Sequence, residues 1–178
     1  VYKRQEEFQL NDDTYTGTKE VSENLKFDSN LLQEWINDNV KNSGKIEKIE
    51  QFKGGQSNPT YKILTNNNAY VLRRKPPGKL LPKAHAVDRE YKVVTALYET
   101  DVPVPKTYGL CEDDSVVGTP FFLMECVDGT VYWDHMLPKC SPKERAQIYK
   151  NKNKVIASLH SVDYKEVGLE DYGKSGNY

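Results

Sequence analysis

Two glycines and two arginines are the residues of this chain whose types and spacing could do chemistry. Gly54 and Gly55 occupy a turn between two predicted strands, and a third strand ends in Arg73 and Arg74. Because glycine has no Cβ and tolerates positive φ, such a turn lets backbone N–H groups approach a phosphate, which a cation could also reach. A strand meander with flexible hairpins explains the same turn equally well, since a short glycine-rich turn is weak evidence.

Glu90 begins to separate these two interpretations. It lies on the apolar side of a predicted helix over about 83–99, with Val94 four residues later on the same side. Burying a carboxylate there is costly unless a cation meets it, and Arg73 or Arg74, at the end of the preceding strand, is the candidate partner. A solvated Glu90 at the edge of the apolar stripe is the alternative.

Hydrophobic periodicity and turn residues predict the other elements. They are a helix from Asp28 to about 42, strands over 52–74 separated by the glycine turn and an asparagine-rich turn, strands at about 106–111 and 119–127, and a capped helix from Ser141 to about His160. Five antiparallel strands with one packed helix after the third predict an α+β fold laid out like a protein-kinase-like small lobe. Residues 1–26 have few apolar side chains and are expected to be a disordered lead-in.

Composition argues against several classes of protein. The 25 Lys and Arg balance 26 Asp and Glu, so the basic excess of a dedicated nucleic-acid binder is absent. No apolar run approaches the roughly 18–20 residues of a membrane helix, and the polar start at Val1 has no signal-peptide pattern. Cys111, Cys126 and Cys140 lie outside C-x-x-C spacing and are expected to be reduced thiols of an intracellular, cytoplasmic protein.

Several stretches of the chain carry a family resemblance. They read QFKGGQSNPTY from residue 51, YVLRRKPPGKLLPKAHAVDREY from 70, DVPVPKTYGLCEDDSVVGTPFFLME from 101, LHSVDY from 159 and VGLEDYGKSGNY from 167. They resemble the aminoglycoside-phosphotransferase-like (choline-kinase-like) superfamily, and most closely the kinase-like domain that some acyl-CoA dehydrogenases carry in front of their flavin module. The resemblance runs from about Phe27 to Tyr178 and leaves out the first 26 residues.

The resemblance implies that a loop covers the nucleotide phosphates with its backbone N–H groups. This loop consists of Gly54, Gly55, Gln56, Ser57 and Asn58. Strand alternation puts Val71 and Arg73 on the nucleotide face and Arg74 on the opposite face, which makes Arg73 the expected partner of Glu90. Arginine stands where most kinases have lysine, and its planar fork could pair bidentately with Glu90 or with phosphate.

A hinge between two lobes is also implied by the resemblance. It comprises Met124, Glu125, Cys126 and Val127. The carbonyl of Glu125 and the N–H of Val127 would hydrogen-bond the adenine edge. These are backbone contacts, so the hinge side chains need not be special.

The resemblance further implies parts that this sequence does not contain. A His-Gly-Asp loop with a catalytic Asp, a downstream Asn and a second Asp for Mg²⁺ are expected in this family. None of His85, His135 and His160 opens such a loop, and His160 is interpreted as a packing residue. We therefore assign no catalytic or metal-binding residue. Residues 27–127 are expected to form the small lobe with its N-terminal helix, and 128–178 the hinge exit and the truncated start of an incomplete large lobe.

The function implied is the ATP-binding part of a small-molecule phosphotransferase that acts on a substrate hydroxyl, with Mg²⁺ held by the missing lobe. A hydroxyacyl substrate, a fused acyl-CoA dehydrogenase with FAD, and a mitochondrial or peroxisomal location follow if a dehydrogenase module is attached. The chain alone is expected to be inactive. A non-catalytic nucleotide-binding pseudokinase or scaffold is the first alternative, and a plain α+β interaction domain without a nucleotide site is the second.

Overall fold

A single antiparallel sheet organises the computed structural model, which describes residues 15–54, 57–79, 81 and 84–173. Its six strands are β1 (Thr18–Lys19), β2 (Ile46–Phe52), β3 (Thr60–Thr65), β4 (Ala69–Arg74), β5 (Thr107–Cys111) and β6 (Phe121–Glu125). The helices are α1 (Ser29–Asn39), α2 (Val87–Leu97), the short α3 (Asp114–Val117) and α4 (Pro142–His160), with a 3-10 turn at Glu23–Leu25. The strand order is β1-β2-β3-β4-β6-β5, so the predicted α+β fold is confirmed.

The sheet has one strand more than the five predicted. Residues 15–26 were expected to be disordered, but β1 pairs with β2 through Thr18 and Phe52. Ser22 also donates its N–H to the Gln51 side chain at 3.1 Å. A two-residue strand with polar side chains leaves no hydrophobic signal, because main-chain pairing rather than burial holds it. Residues 1–14 of the predicted lead-in lie outside the described residues.

One face of the sheet packs against α1 and α3. Directly opposed residues of antiparallel strands share a face, so the pairing of Tyr61 with Leu72 and of Leu72 with Leu123 makes a buried row. Trp35 of α1 meets Phe121 edge to face at 4.8 Å between ring centroids. The buried side chains of this core are Leu32, Ile36, Val40, Tyr61, Ile63, Tyr70, Leu72, Cys111, Val117, Phe121 and Leu123.

The opposite face carries α2. Phe122, which pairs with Arg73 and so shares its face, is 1% exposed and lies 6.0 Å from the ring of Tyr91. Val87 and Leu97 complete the buried stripe of α2. Both faces of β6 are therefore covered, which accounts for its nearly continuous apolar sequence.

Helix α4 begins at the predicted capping sequence. The Ser141 hydroxyl accepts from the Glu144 N–H at 3.4 Å, and the Glu144 carboxylate accepts from the Ser141 N–H at 2.8 Å. These hydrogen bonds from Ser141 lower the pKa of Glu144. The apolar side chains of Val155, Ile156 and Leu159 on this helix are exposed. None of the helices within the described ranges has the length and apolar character that a membrane crossing requires.

The N-cap of α1 gives a prediction of modest size. Asp28 accepts from the N–H of Asn30 at 2.8 Å, so Asp28→Ala should lower the free energy of unfolding by about 1 kcal/mol. The matched control is Asp38→Ala near the other end of α1, where a carboxylate opposes the helix dipole and its loss should be neutral or slightly stabilising. Urea unfolding measures both, and equal losses would contradict the cap.

Candidate functional site

Arg73 and Arg74 end β4 on opposite faces of the sheet. Arg74 is 3% exposed and belongs to the face packed on α1, where its guanidinium lies against Phe27 and Tyr61, two rings that contact each other edge to face. Arg73 is half-buried on the other face, opposite Thr60 on β3 and Phe122 on β6. The predicted assignment of the two arginines to opposite faces is confirmed.

Glu90 pairs with Arg73, as expected from its position in α2. The Arg73 Nε donates to Glu90 Oε2 at 2.5 Å, Nη2 donates to Oε1 at 3.4 Å, and Nη1 donates to the Thr60 hydroxyl at 3.3 Å. Because the two side chains keep 28% and 39% of their exposure, the pair contributes about 1 kcal/mol or less to stability. Its effect is to aim the guanidinium, whose other N–H groups are directed away from the carboxylate.

Asn58 has a role that its predicted place in the phosphate loop did not include. Its side chain is 2% exposed, and Nδ2 donates to Glu90 Oε1 at 2.9 Å. Its Oδ1 lies 2.9 Å from Nδ1 of His85. The Asn58 side chain therefore joins the loop to α2. Sequence reasoning used His85 only to reject a catalytic loop, and no spacing signal points to this contact across 27 residues.

Of the glycine turn, the structure describes Gly54 at the start and Ser57 and Asn58 at the end. Gly54 ends its first half, and a Cβ there would lie 3.1 Å from Trp133 Cζ2 and 3.1 Å from the carbonyl of Tyr15. Both distances are shorter than ordinary van der Waals contacts. A residue with a Cβ would therefore crowd Trp133 and Tyr15 at this position, whereas glycine fits. Ser57 is exposed at the second end. The predicted residues Gly55 and Gln56 lie outside the described residues.

The predicted hinge continues β6. Met124 pairs with Val71, which puts both side chains on the face of Arg73. Glu125 is the last residue of the strand, and its N–H donates to the Lys106 carbonyl at 2.8 Å. Val127 follows with its side chain 64% exposed. The structure thus brings Val71, Arg73, Glu90 and Met124 to one side of the sheet, whereas Glu125 pairs with Tyr70 and its side chain lies on the other side.

Lys62 is a second cation on this side that sequence reasoning did not single out. It pairs with Val71 and is half-buried. Burial raises the pKa of the neighbouring Cys126 thiol, while the positive charge of Lys62 acts in the opposite direction. The signal was present in the alternation of Lys62 with Tyr61 and Ile63, which assigns it to the face opposite the core.

The helix carrying Glu90 is also held by residues from the C-terminal part of the chain. Lys92 forms a 2.5 Å ion pair with Asp171, and its hydrogen bond lowers the pKa of that carboxyl. Arg89 donates to the Tyr172 carbonyl at 2.9 Å, and its guanidinium carbon lies 4.0 Å from the centroid of the Tyr172 ring. Both partners come from a tail for which no contact was predicted.

The described residues contain no cluster of side chains that could bind a metal ion. Within residues 15–54, 57–79, 81 and 84–173, no group of three or more His, Cys, Asp or Glu side chains is arranged to hold a metal ion. The described part of the chain therefore offers no ligand set for the Mg²⁺ that a kinase requires.

Comparison with known proteins identifies the family. The family model described as phosphotransferase enzyme family (APH) matches residues 48–178. This chain belongs to the phosphotransferase enzyme family. A phosphotransferase-family protein from Ralstonia eutropha, whose crystal structure carries a provisional assignment as an aminoglycoside phosphotransferase, is 50% identical with a TM-score of 0.74. It confirms the predicted fold over 86% of this chain, which covers 44% of that one.

Curated relatives of this phosphotransferase-family chain are named acyl-CoA dehydrogenases. The Arabidopsis thaliana protein named "Probable acyl-CoA dehydrogenase IBR3" is 48% identical over 162 residues, 86% of this chain and 20% of that protein. Acyl-CoA dehydrogenase family member 11 of Homo sapiens is 42% identical over 170 residues, 92% of this chain and 22% of that protein. The predicted resemblance to a domain carried by acyl-CoA dehydrogenases is confirmed, and the chain spans about a fifth of the length of these relatives.

Proposed function

We propose that this chain is the ATP-binding part of a small-molecule phosphotransferase that transfers the γ-phosphoryl group of ATP to a substrate hydroxyl. The observation that carries the proposal is the ion pair of Arg73 and Glu90. It lies on the sheet face that also holds Val71 and Met124, next to the end of the glycine turn at Asn58. A kinase-like site needs a cation fixed by a helix carboxylate in that relation to a glycine turn.

Each part of the proposed site has a defined task. The Glu125 carbonyl and the Val127 N–H would bond the adenine edge, and the Val71–Met124 pair would provide an apolar wall for the ring. Arg73 would meet the phosphates with the N–H groups that Glu90 and Thr60 do not use. The covering loop, from Gly54 to Asn58, would add backbone N–H donors.

The acceptor is proposed to be a hydroxyacyl compound of fatty-acid metabolism. The support is that relatives over most of this chain are named acyl-CoA dehydrogenases. A fused dehydrogenase module with FAD, and a mitochondrial or peroxisomal location in place of the cytoplasm, belong to the same proposal.

Phosphoryl transfer tests the proposal. The protein expressed from its complete coding sequence is incubated with Mg²⁺ and γ-³²P-ATP and offered, in separate reactions, hydroxyacyl-CoAs, an aminoglycoside and choline. The matching acyl-CoAs that lack the hydroxyl are the controls. Label on the hydroxylated compounds alone is expected. Label on an aminoglycoside or choline instead would overturn the hydroxyacyl acceptor.

A non-catalytic, nucleotide-binding pseudokinase is the second candidate, and the sign that would favour it is a complete coding sequence that lacks both His-Gly-Asp and a downstream metal-binding Asp. It predicts saturable Mg-ATP binding without transfer to any acceptor. If the protein binds no nucleotide, the remaining candidate is a plain α+β interaction domain without a nucleotide site.

Cys126 in the hinge provides a prediction that needs no acceptor. Burial raises the pKa of its thiol, and Asp128 and Glu125 add to the rise against the effect of Lys62. Since the thiolate is the reactive form, iodoacetamide should label Cys126 more slowly at pH 8 than it labels an unstructured cysteine peptide, and the rate should climb as the pH increases. Mg-ATP at the hinge should slow the labelling further. Peptide mass spectrometry reads the rate.

Cys140 serves as the internal control for this labelling. It is half-buried and lies outside the proposed nucleotide contacts, so Mg-ATP should leave its labelling rate unchanged. Equal protection of both thiols, or none at Cys126, would count against nucleotide binding at the hinge.

A further inference from the structure

We propose that Asn58 and His85 form a latch that positions Glu90, so that the phosphate loop and the orientation of Arg73 are coupled through side chains. The latch consists of the hydrogen bonds from His85 to Asn58 and from Asn58 to Glu90. It makes Asn58 and His85 positioning residues for the phosphates of ATP. The proposal rests on the proposed function for its role in binding, whereas the hydrogen bonds themselves can be tested without nucleotide.

The chemistry of the carboxylate fixes the direction of both hydrogen bonds. An ionised carboxylate can only accept, so the amide nitrogen of Asn58 must face Glu90. The amide oxygen of Asn58 then faces His85 and accepts a hydrogen bond from the N–H at Nδ1. The latch therefore requires His85 to be protonated on Nδ1.

Glu90 is held at both of its oxygens. Oε2 accepts from Arg73 Nε at 2.5 Å, and Oε1 accepts from Asn58 at 2.9 Å. Two donors on different oxygens fix the rotation of the carboxylate as well as its position. The fork of Arg73 is planar, so the plane in which Glu90 lies sets the direction of the remaining guanidinium N–H groups.

The backbone on each side of the latch is constrained. The Asn58 carbonyl accepts from the Thr60 hydroxyl at 3.0 Å, and the Pro59 carbonyl accepts from the Arg74 N–H at 3.1 Å. His85 has a φ of 58°, a left-handed conformation that non-glycine residues seldom adopt but that histidine tolerates better than most. Its carbonyl accepts from the Val87 N–H at 2.9 Å at the start of α2. A displaced phosphate loop would therefore pull on Glu90 through Asn58.

A double-mutant cycle on Mg-ATP affinity tests the coupling in the protein expressed from its complete coding sequence. Asn58→Ala should raise the Kd for Mg-ATP about tenfold, in the range of couplings between contacting residues. The same change in a Glu90→Ala background should raise it less than about twofold, because the group through which Asn58 acts is gone. Asn30→Ala, an exposed asparagine on α1, is the control and should leave the Kd unchanged. Equal effects of Asn58→Ala in both backgrounds would overturn the latch.

Substitutions at His85 isolate the hydrogen bond from the backbone conformation. Asparagine and glycine both tolerate a left-handed φ, and the asparagine amide nitrogen occupies the place of the histidine Nδ1. His85→Asn should keep the Kd within about twofold of the parent, whereas His85→Gly should weaken binding about as much as Asn58→Ala. Equal effects of the two substitutions would show that His85 acts only as packing.

The tautomer of His85 supplies a readout that does not depend on nucleotide. Nitrogen-15 NMR of the imidazole should find the proton on Nδ1 in the parent protein and should lose that preference in Asn58→Ala. A proton held on Nε2 in the parent would overturn the latch even if ATP binds. If the proton is found on Nδ1 but the protein binds no Mg-ATP, the result would support the latch and contradict the proposed function.

Discussion

Replacing Arg73 by alanine is expected to raise the Kd for Mg-ATP by about 10- to 100-fold, since hydrogen bonds to charged groups contribute about 1.5–3 kcal/mol each. The guanidinium is the only cation that the structure pairs with Glu90 among the described residues. Its removal takes away the positive charge proposed to meet the phosphates. Isothermal titration calorimetry with Mg-ATP measures the change.

The unfolding temperature should hardly move in the same variant. Arg73 and Glu90 retain 28% and 39% of their side-chain exposure, and ion pairs with that much solvent contact add little to stability. Arg73→Lys keeps the charge but loses the planar fork, so its affinity should fall between those of the parent and Arg73→Ala. Parent-like affinity in Arg73→Ala would refute the assigned role.

The neighbouring arginine should behave in the opposite way. Arg74→Ala is expected to lower the free energy of unfolding by about 3 kcal/mol, because the Val117 carbonyl loses its charged donor and the Leu25 carbonyl keeps only the Tyr61 hydroxyl. The Arg74 guanidinium donates to the Val117 carbonyl and, at 2.8 Å, to the Leu25 carbonyl. It also lies 5.2 Å and 5.3 Å from the ring centroids of Phe27 and Tyr61. It thereby ties the 3-10 turn and α3 to the sheet.

Urea unfolding of Arg74→Ala and Arg74→Met separates the parts of this effect. Methionine keeps the apolar stem, so Arg74→Met should lose less stability than Arg74→Ala. The Nε of Arg74 is buried without a hydrogen-bond partner in the described part of the chain, so the substitution also removes one unsatisfied donor. A loss below about 0.5 kcal/mol in Arg74→Ala, the size of a surface substitution, would contradict the structural role.

Part of the site could be predicted because the periodic spacing of side chains along β4 and α2 determines which face each residue occupies. Alternation along β4 separates Arg73 from Arg74, and the apolar stripe of α2 turns Glu90 toward the sheet. Together they predict that one of the two arginines meets Glu90, and the nucleotide face that the family resemblance implies selects Arg73. The caps of α1 and α4 were equally visible, since Asp28 and Ser141 hydrogen-bond within their own first turns.

The rest of the site depends on contacts that have no period. Asn58 meets Glu90 across 32 residues and His85 across 27, and both contacts are set by how the loop and α2 approach each other in three dimensions. The pairing of β1 with β2 is likewise carried by main-chain groups that every residue possesses. No helix was predicted between the strands at 106–111 and 119–127, where the short helix α3 forms with Asp113 as its N-cap, accepting from the Ser115 N–H at 2.8 Å. The domain division at 27–127 and 128–178 stays a prediction.

Hydrogen exchange with and without Mg-ATP tests the central claim most directly. In the protein expressed from its complete coding sequence, saturating Mg-ATP should slow amide exchange in 52–58, 71–73 and 124–127, which are the loop, the cation strand and the hinge. Exchange in α1 (Ser29–Asn39), on the opposite face of the sheet, should not change. Slowing confined to α1, or no slowing in the three segments at a nucleotide concentration that saturates binding, would contradict the assignment of the ATP site to this face.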